Sequence, residues 1–80
     1  MRLAAGLDPQ DAQVYNNRGN AYFNLGQYER AIQDYDKAIQ LDPDYALAYR
    51  NRGKLYSFLS RPEEGDADKA KACSLDKQYC

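Results

Sequence analysis

Few side chains in this sequence could do covalent or metal chemistry. Cys73 and Cys80 are its only thiols, seven positions apart. On an unbroken helix their Cα atoms would sit about 10 Å apart at 1.5 Å per residue, beyond disulfide reach. The spacing therefore favours two free thiols, and it matches no recognised metal-ligand pattern. If the chain turns back at Leu75-Asp76, a disulfide comes within reach, and only that would point to an oxidising environment. There is no His or Thr, and Ser occurs only as Ser57, Ser60 and Ser74. Without His, the usual general base and nucleophile activator at neutral pH is missing. No pair of carboxylates or lysines converges in the pattern either. The expectation is a protein that is not an enzyme, with no metal and no cofactor.

The sequence is better supplied with groups for non-covalent recognition. Wound as a helix, Gln13, Asn16, Asn17, Asn20 and Asn24 fall within an arc of about 100°. All five are uncharged carboxamides carrying both donor and acceptor, the complement of an extended peptide backbone. Asn costs a helix about 0.5 kcal/mol relative to Ala, so an ordinary solvated face would sooner use Glu, Lys or Arg. Thirty-four residues on, the same arc holds Leu47, Arg50, Asn51, Lys54 and Phe58. Arg50 and Lys54, one helical turn apart, suit a carboxylate, while Leu47 and Phe58 suit an apolar side chain. Plain solvated surface is the competing reading of both sets.

The elements that must position these residues follow from an internal repeat. Leu7-Asp8-Pro9 recurs as Leu41-Asp42-Pro43, and Leu75-Asp76 falls in step again. Tyr15-Asn16-Asn17-Arg18-Gly19 recurs as Tyr49-Arg50-Asn51-Arg52-Gly53, Tyr22 as Tyr56 and Tyr45 as Tyr79, always at an offset of 34. Each unit reads as two helices. Asp11 is positioned to cap the first, and Gly26 to stop it. The second runs from about 28 to 41 and ends at Asp42-Pro43, because proline restricts the residue before it and donates no N–H. Asp44 is placed to cap a third helix over about 46–59, and Ser60-Arg61-Pro62-Glu63 has capping-box spacing at the start of a fourth. Tyr15, Gly19, Tyr22 and Gly26 share one face. Tyr28, Ala31, Ile32, Tyr35, Ala38 and Ile39 form an apolar stripe on the next helix. Gly19 and Ala31 would let the paired backbones approach, with tyrosines filling the space beside them. Tyr15, Tyr22, Tyr35, Tyr49 and Tyr56 are thus core residues rather than modification sites. Neither helix can bury its stripe alone, so such pairs stack.

On these residues the chain resembles the tetratricopeptide repeat family. Tyr15, Gly19, Tyr22, Ala31, Tyr35, Ala38 and Pro43 meet the family's pattern, and Arg18 stands where a Leu is usual. The resemblance implies an all-α fold of antiparallel helix-turn-helix repeats stacked as a short right-handed α-solenoid. Residues 12–45 form one repeat, 46–79 a second, degenerate one, and 1–11 the C-terminal fragment of a preceding repeat. It also implies a concave groove, lined by the first helix of each repeat, that binds an extended peptide segment of a partner protein. Asn17 and Asn51 match the asparagine ladder of the O-linked N-acetylglucosamine transferase superhelix. Asn20 and Asn51 match two asparagines of the carboxylate clamp in chaperone-tail-binding members, although Asn16 stands where that clamp has a Lys.

The second repeat departs from the first: Tyr28, Ala31, Ile32 and Tyr35 become Pro62, Gly65, Asp66 and Lys69. Charges at those positions suit a terminal, capping repeat; a decayed helix is the alternative, since Gly costs about 1 kcal/mol there. Net charge is −1, from −3 in residues 1–45 and +2 in 46–80, which provides no field for nucleic acid or an anionic membrane. No apolar run approaches the roughly 18–20 residues that span a bilayer, and residues 1–6 are too short for a signal-peptide core. The rival to peptide binding is structural: a terminal or self-associating segment of a longer array, forming homo-oligomers through exposed repeat ends.

Overall fold

Helix starts and stops are settled locally. In a computed structural model, which describes residues 10–80, Asp11 accepts the Gln13 backbone N–H on its carboxylate at 3.0 Å and opens α1 (Ala12–Asn24). At the far end Gly26 adopts φ +76°. The Gln27 N–H reaches the Tyr22 carbonyl at 2.9 Å, and the Gly26 N–H reaches that of Phe23 at 3.0 Å. This Schellman closure turns the chain into α2 (Tyr28–Leu41), which ends at Asp42-Pro43. After α3 (Ala46–Phe58) the same closure recurs with a serine in glycine's place. Ser60 takes φ +60°, and the Arg61 N–H bonds the Tyr56 carbonyl at 2.8 Å. Then follow α4 (Pro62–Leu75), with proline in its first turn, and a 3-10 turn, Lys77–Tyr79. The preceding repeat fragment expected over 1–11 falls mostly on residues 1–9, which lie outside the described residues.

Two expected caps are corrected. Asp44 does not cap α3: Tyr45 holds the N-cap position, and the Asp44 N–H is instead bonded to the Asp42 carboxylate at 3.1 Å. Ser60 forms no capping box, because its left-handed backbone is committed to ending α3. Arg61 occupies the N-cap of α4 and pairs with Glu64 at 2.7 Å.

The four helices pack as two antiparallel pairs, α1 with α2 and α3 with α4, and α3 also rests on α2. Ala31, Ile32, Tyr35 and Leu55 are the buried centre, and Tyr22, Phe23, Tyr28, Tyr56 and Leu59 close around it. Gly19 is where α1 admits the Tyr35 ring; a Cβ there would lie 2.7 Å from Tyr35 Cε1. In the second pair Gly53 and Gly65 face each other, and Cβ atoms at the two would lie 3.0 and 2.9 Å from the opposing carbonyl oxygens.

Each pair is also locked by a bidentate ion pair the sequence reading passed over. Arg18 clasps Asp34 with both contacts at 2.7 Å, and 34 residues on Arg52 clasps Asp68 at 2.8 Å. The carboxylates are buried and so require such partners. Arg52 also reaches Asp36 of the first pair at 2.8 Å, tying the repeats together. Tyrosine rings flank each guanidinium: Tyr15 and Tyr22 for Arg18, Tyr49 and Tyr56 for Arg52. Arg18 therefore replaces a packing leucine with a charge that has its own socket. The clue lay in the period, since Arg and Asp both recur at 34.

Candidate functional site

The polar arc of α1 divides once α3 packs beside it. Gln13, Asn17, Asn20 and Asn24 remain exposed, whereas Asn16 is 1% exposed. Its side-chain oxygen accepts the Asn51 amide at 3.1 Å across the repeat boundary. Burial pushes the Tyr45 hydroxyl's pKa up, partly offset by a hydrogen bond with the same Asn16. Asn16 is thus an interior link rather than a ligand-facing residue, because a buried carboxamide must find partners within the fold. Asn51, half-buried, spends one amide hydrogen on it. Asn20 stays open but accepts a hydrogen bond from the buried Tyr35 hydroxyl.

Between α1 and α3 a small depression of about 80 Å³ is lined by Asn20, Phe23, Tyr35, Asn51, Lys54 and Leu55. It brings together three of the expected residues, Asn20, Asn51 and Lys54, over an apolar floor. Gln13, Asn17 and Asn24 lie along α1 outside it, and Leu47 is half-buried in the first turn of α3. Phe58 is elsewhere: although 60% exposed, it packs on Phe23 and Tyr28 with ring centroids 5.7 and 5.2 Å apart, beside the helix turns. Arg50 and Lys54 turn toward a larger cleft of about 550 Å³ shared with α4 and the C-terminal turn.

The thiols are not free. Cys73 and Cys80 form a disulfide, their Cα atoms 4.6 Å apart. Leu75-Asp76 does end α4, and the Asp76 carboxylate accepts the Gln78 N–H at 3.0 Å to start the reversing turn. The helical separation that favoured free thiols therefore does not apply. Among the described residues no three of His, Cys, Asp and Glu cluster as metal ligands, and no helix is long and apolar enough to cross a membrane.

The repeat architecture has a direct counterpart in known proteins. Two sequence profiles of the tetratricopeptide repeat match, one over residues 12–45 and one over 34–72, together most of the chain. The chain belongs to the tetratricopeptide repeat family. As a TPR chain it is a protein–protein interaction module. Over 39 residues, 49% of its length, it is 46% identical to the human mitochondrial import receptor subunit TOM70, of which it spans 6%. Among solved structures it superposes on MamA with a TM-score of 0.83 at 26% identity, covering 90% of this chain and 42% of that one. It matches the first TPR of Spaghetti (RPAP3), bound to the HSP90 peptide SRMEEVD, with a TM-score of 0.83 at 32% identity. That match covers 95% of this chain and 60% of the other.

Proposed function

We propose that this TPR module receives an extended peptide segment of a partner protein along the side formed by α1 and α3. The observation carrying this reading is the depression where Asn20, Asn51 and Lys54 meet above Phe23 and Leu55. Carboxamides satisfy a peptide backbone's donors and acceptors, an apolar floor takes a side chain, and Lys54 steers an acidic group. Asn17, exposed about one turn before Asn20 on α1, extends the line of carboxamides. The similar first TPR of Spaghetti binds a peptide with two glutamates and an aspartate, which supports an acidic segment here. Two repeats offer a small surface, so affinity is modest.

The test is selection from a displayed peptide library on the native chain, followed by binding to an Asn17→Ala/Lys54→Ala variant of verified helicity. Peptides that lose most of their affinity for the variant support the groove. Peptides that bind both forms alike, or no selectable peptide, overturn it. Asn51→Ala is the wrong probe, because it strands the buried Asn16.

A structural role for α4 has its own support. Asp66 and Lys69 are exposed at the positions where Ile32 and Tyr35 are buried 34 residues earlier. Charges there make α4 a closing surface of the stack, with 12–45 and 46–79 as the two repeat units. An Asp66→Ile/Lys69→Tyr variant should self-associate; a variant that stays monomeric would count against this.

A further inference from the structure

The reversals after α2 and after α4 are fastened differently at equivalent positions. After α2 the chain turns at Asp42-Pro43, and Arg52 of α3 reaches back to Asp36 at 2.8 Å. Thirty-four residues on, Ala70 stands where Asp36 does, so α4 offers no carboxylate at that position. Cys73 and Cys80 stand where Ile39 and Ala46 do, and their disulfide spans the reversal after α4 instead. Ile39 and Ala46 keep part of their surface in solvent although α3 packs beside α2. The bond therefore sits at an outer edge of the stack, where a helix packed on α4 would leave it reachable. Cys80 is exposed and Cys73 half-buried.

The reversal itself does not depend on the bond. The Asp76 carboxylate accepts the Gln78 N–H at 3.0 Å and the Gln78 side-chain amide at 2.9 Å, and the Tyr79 N–H bonds the Asp76 carbonyl at 3.0 Å. Asp42 holds the Asp44 and Tyr45 N–H groups in the same way, at 3.1 Å each, with no disulfide. What the bond adds is attachment of the turn to α4, with Tyr79 carried against the Arg50 guanidinium at 5.6 Å. Once opened, the two thiols stay neighbours on a turn drawn by Asp76 and can reclose. Exposed disulfides are the labile, regulatory kind. We propose that Cys73–Cys80 is a reversible redox latch, opened by a low-molecular-weight thiol, that fastens the segment after α4 when closed and frees Tyr79 from Arg50 when open. A thiolate attacks the exposed Cys80 Sγ, forming a mixed disulfide and expelling the Cys73 thiolate, which takes up the proton the reagent lost. A second thiolate attacks the reagent's sulfur, so the reagent leaves as its own disulfide and Cys80 becomes a thiol. Two electrons pass from two thiols to the protein, and the reverse exchange recloses the latch. The latch is independent of the peptide-groove reading.

The test is equilibration of the native chain in glutathione buffers, from wholly reduced to wholly oxidised, with free thiols trapped by alkylation and counted by mass. The closed form should give way to the open form within that range, and reoxidation should restore the bond in a monomer. On opening, amides 77–80 should exchange at least about tenfold faster and the Arg50 Nε–H resonance should move, while α1 and α2 keep their protection. A Cys73→Ser/Cys80→Ser chain should show the open-form signals at every glutathione ratio. A bond that stays closed in reduced glutathione alone is a permanent staple and overturns the proposal, as do thiols that never close or that reclose only between chains. Opening that leaves amides 77–80 and Arg50 unchanged, or that strips protection from the whole chain, overturns it as well, because the bond would then fasten nothing or everything.

Discussion

Replacing Gly65 by alanine should destabilise this protein even though alanine is the better helix former. In a helix interior the exchange favours alanine by about 1 kcal/mol. Against that, a Cβ on Gly65 lies 2.5 Å from Ser57 Oγ, 2.9 Å from the Gly53 carbonyl oxygen and 3.2 Å from the Ser57 nitrogen. The Ser57 hydroxyl can rotate away, giving up its 3.0 Å bond from Lys69, but the backbone of α3 cannot move alone. The whole of α4 must retreat, and the Arg52–Asp68 clasp across the same two helices stretches with it. Overpacking of this kind costs about 1–3 kcal/mol, and a lost hydrogen bond about 1 kcal/mol more. Net of helix propensity, the loss is about 1–3 kcal/mol. For a domain this size that lowers the Tm by roughly 5–25 °C, followed by circular dichroism at 222 nm on heating. Ala70→Gly, at an exposed site of the same helix, is the control and should cost about 1 kcal/mol through propensity alone. A Gly65→Ala chain whose Tm is unchanged or higher would refute the reasoning. It would show that Gly65 is a lapse in a loosely packed helix and not the point where α3 and α4 touch.

Ser60→Gly should stabilise the chain by about 0.5–1 kcal/mol, since glycine takes the φ of +60° without the strain an L side chain meets there; urea unfolding should show a higher midpoint at constant slope. Asp68→Asn should cost about 2–3 kcal/mol by breaking a buried bidentate pair, while Asp36→Asn, on the exposed side of the same Arg52, should cost under about 1 kcal/mol; equal losses would contradict the assignment. Burial, with a lesser push from Asp34, raises Tyr35 to about 12, so the folded state holds a proton that the unfolded chain releases near 10. Stability should be intact below pH 10 and fall from about pH 10 to 12, by up to about 1.4 kcal/mol per unit from this group, as measured by denaturant titrations across that range. Reducing Cys73–Cys80 should cost about 2 kcal/mol for so short a loop and lose exchange protection around residues 76–80, while amides in α1 and α2 keep theirs; titration of two thiols in the unreduced chain would contradict the bond.

Much of the architecture was legible because it is written in local chemistry repeated at a period of 34. Asp11, Gly26 and Asp42-Pro43 act on neighbours a few residues away, so α1 and α2 are placed by chain geometry that the sequence displays directly. Gly19 announced by its lack of bulk that something packs closely on α1, but what enters there is the Tyr35 ring and not the α2 backbone. The failures share a cause as well. Asp44 and Ser60 are good capping residues in isolation, but neither stands where a cap is needed: the N-cap of α3 falls one residue on, at Tyr45, and Ser60 is turned left-handed at the end of α3. Phe58 shared the wheel arc of Asn51 and Lys54, yet its position one turn further on leaves it outside the depression's lining, packed on Tyr28 and on the Phe23 ring that borders it.

The carboxamide arc marks the boundary between the two kinds of knowledge. Composition and periodicity by themselves determined that polar side chains line one face of α1, that a second helix pair follows in register, and that catalytic equipment is sparse. Only the packing of α3 against the first pair decided that Asn16 goes inside to meet Asn51 while Asn17 and Asn20 stay in water. A helical wheel records angle about one axis, whereas burial depends on where a second axis passes. The same holds for Arg18, read as a missing leucine until Asp34 came across from α2, and for Cys73 and Cys80, too far apart along a helix but brought together by the reversal at Leu75-Asp76.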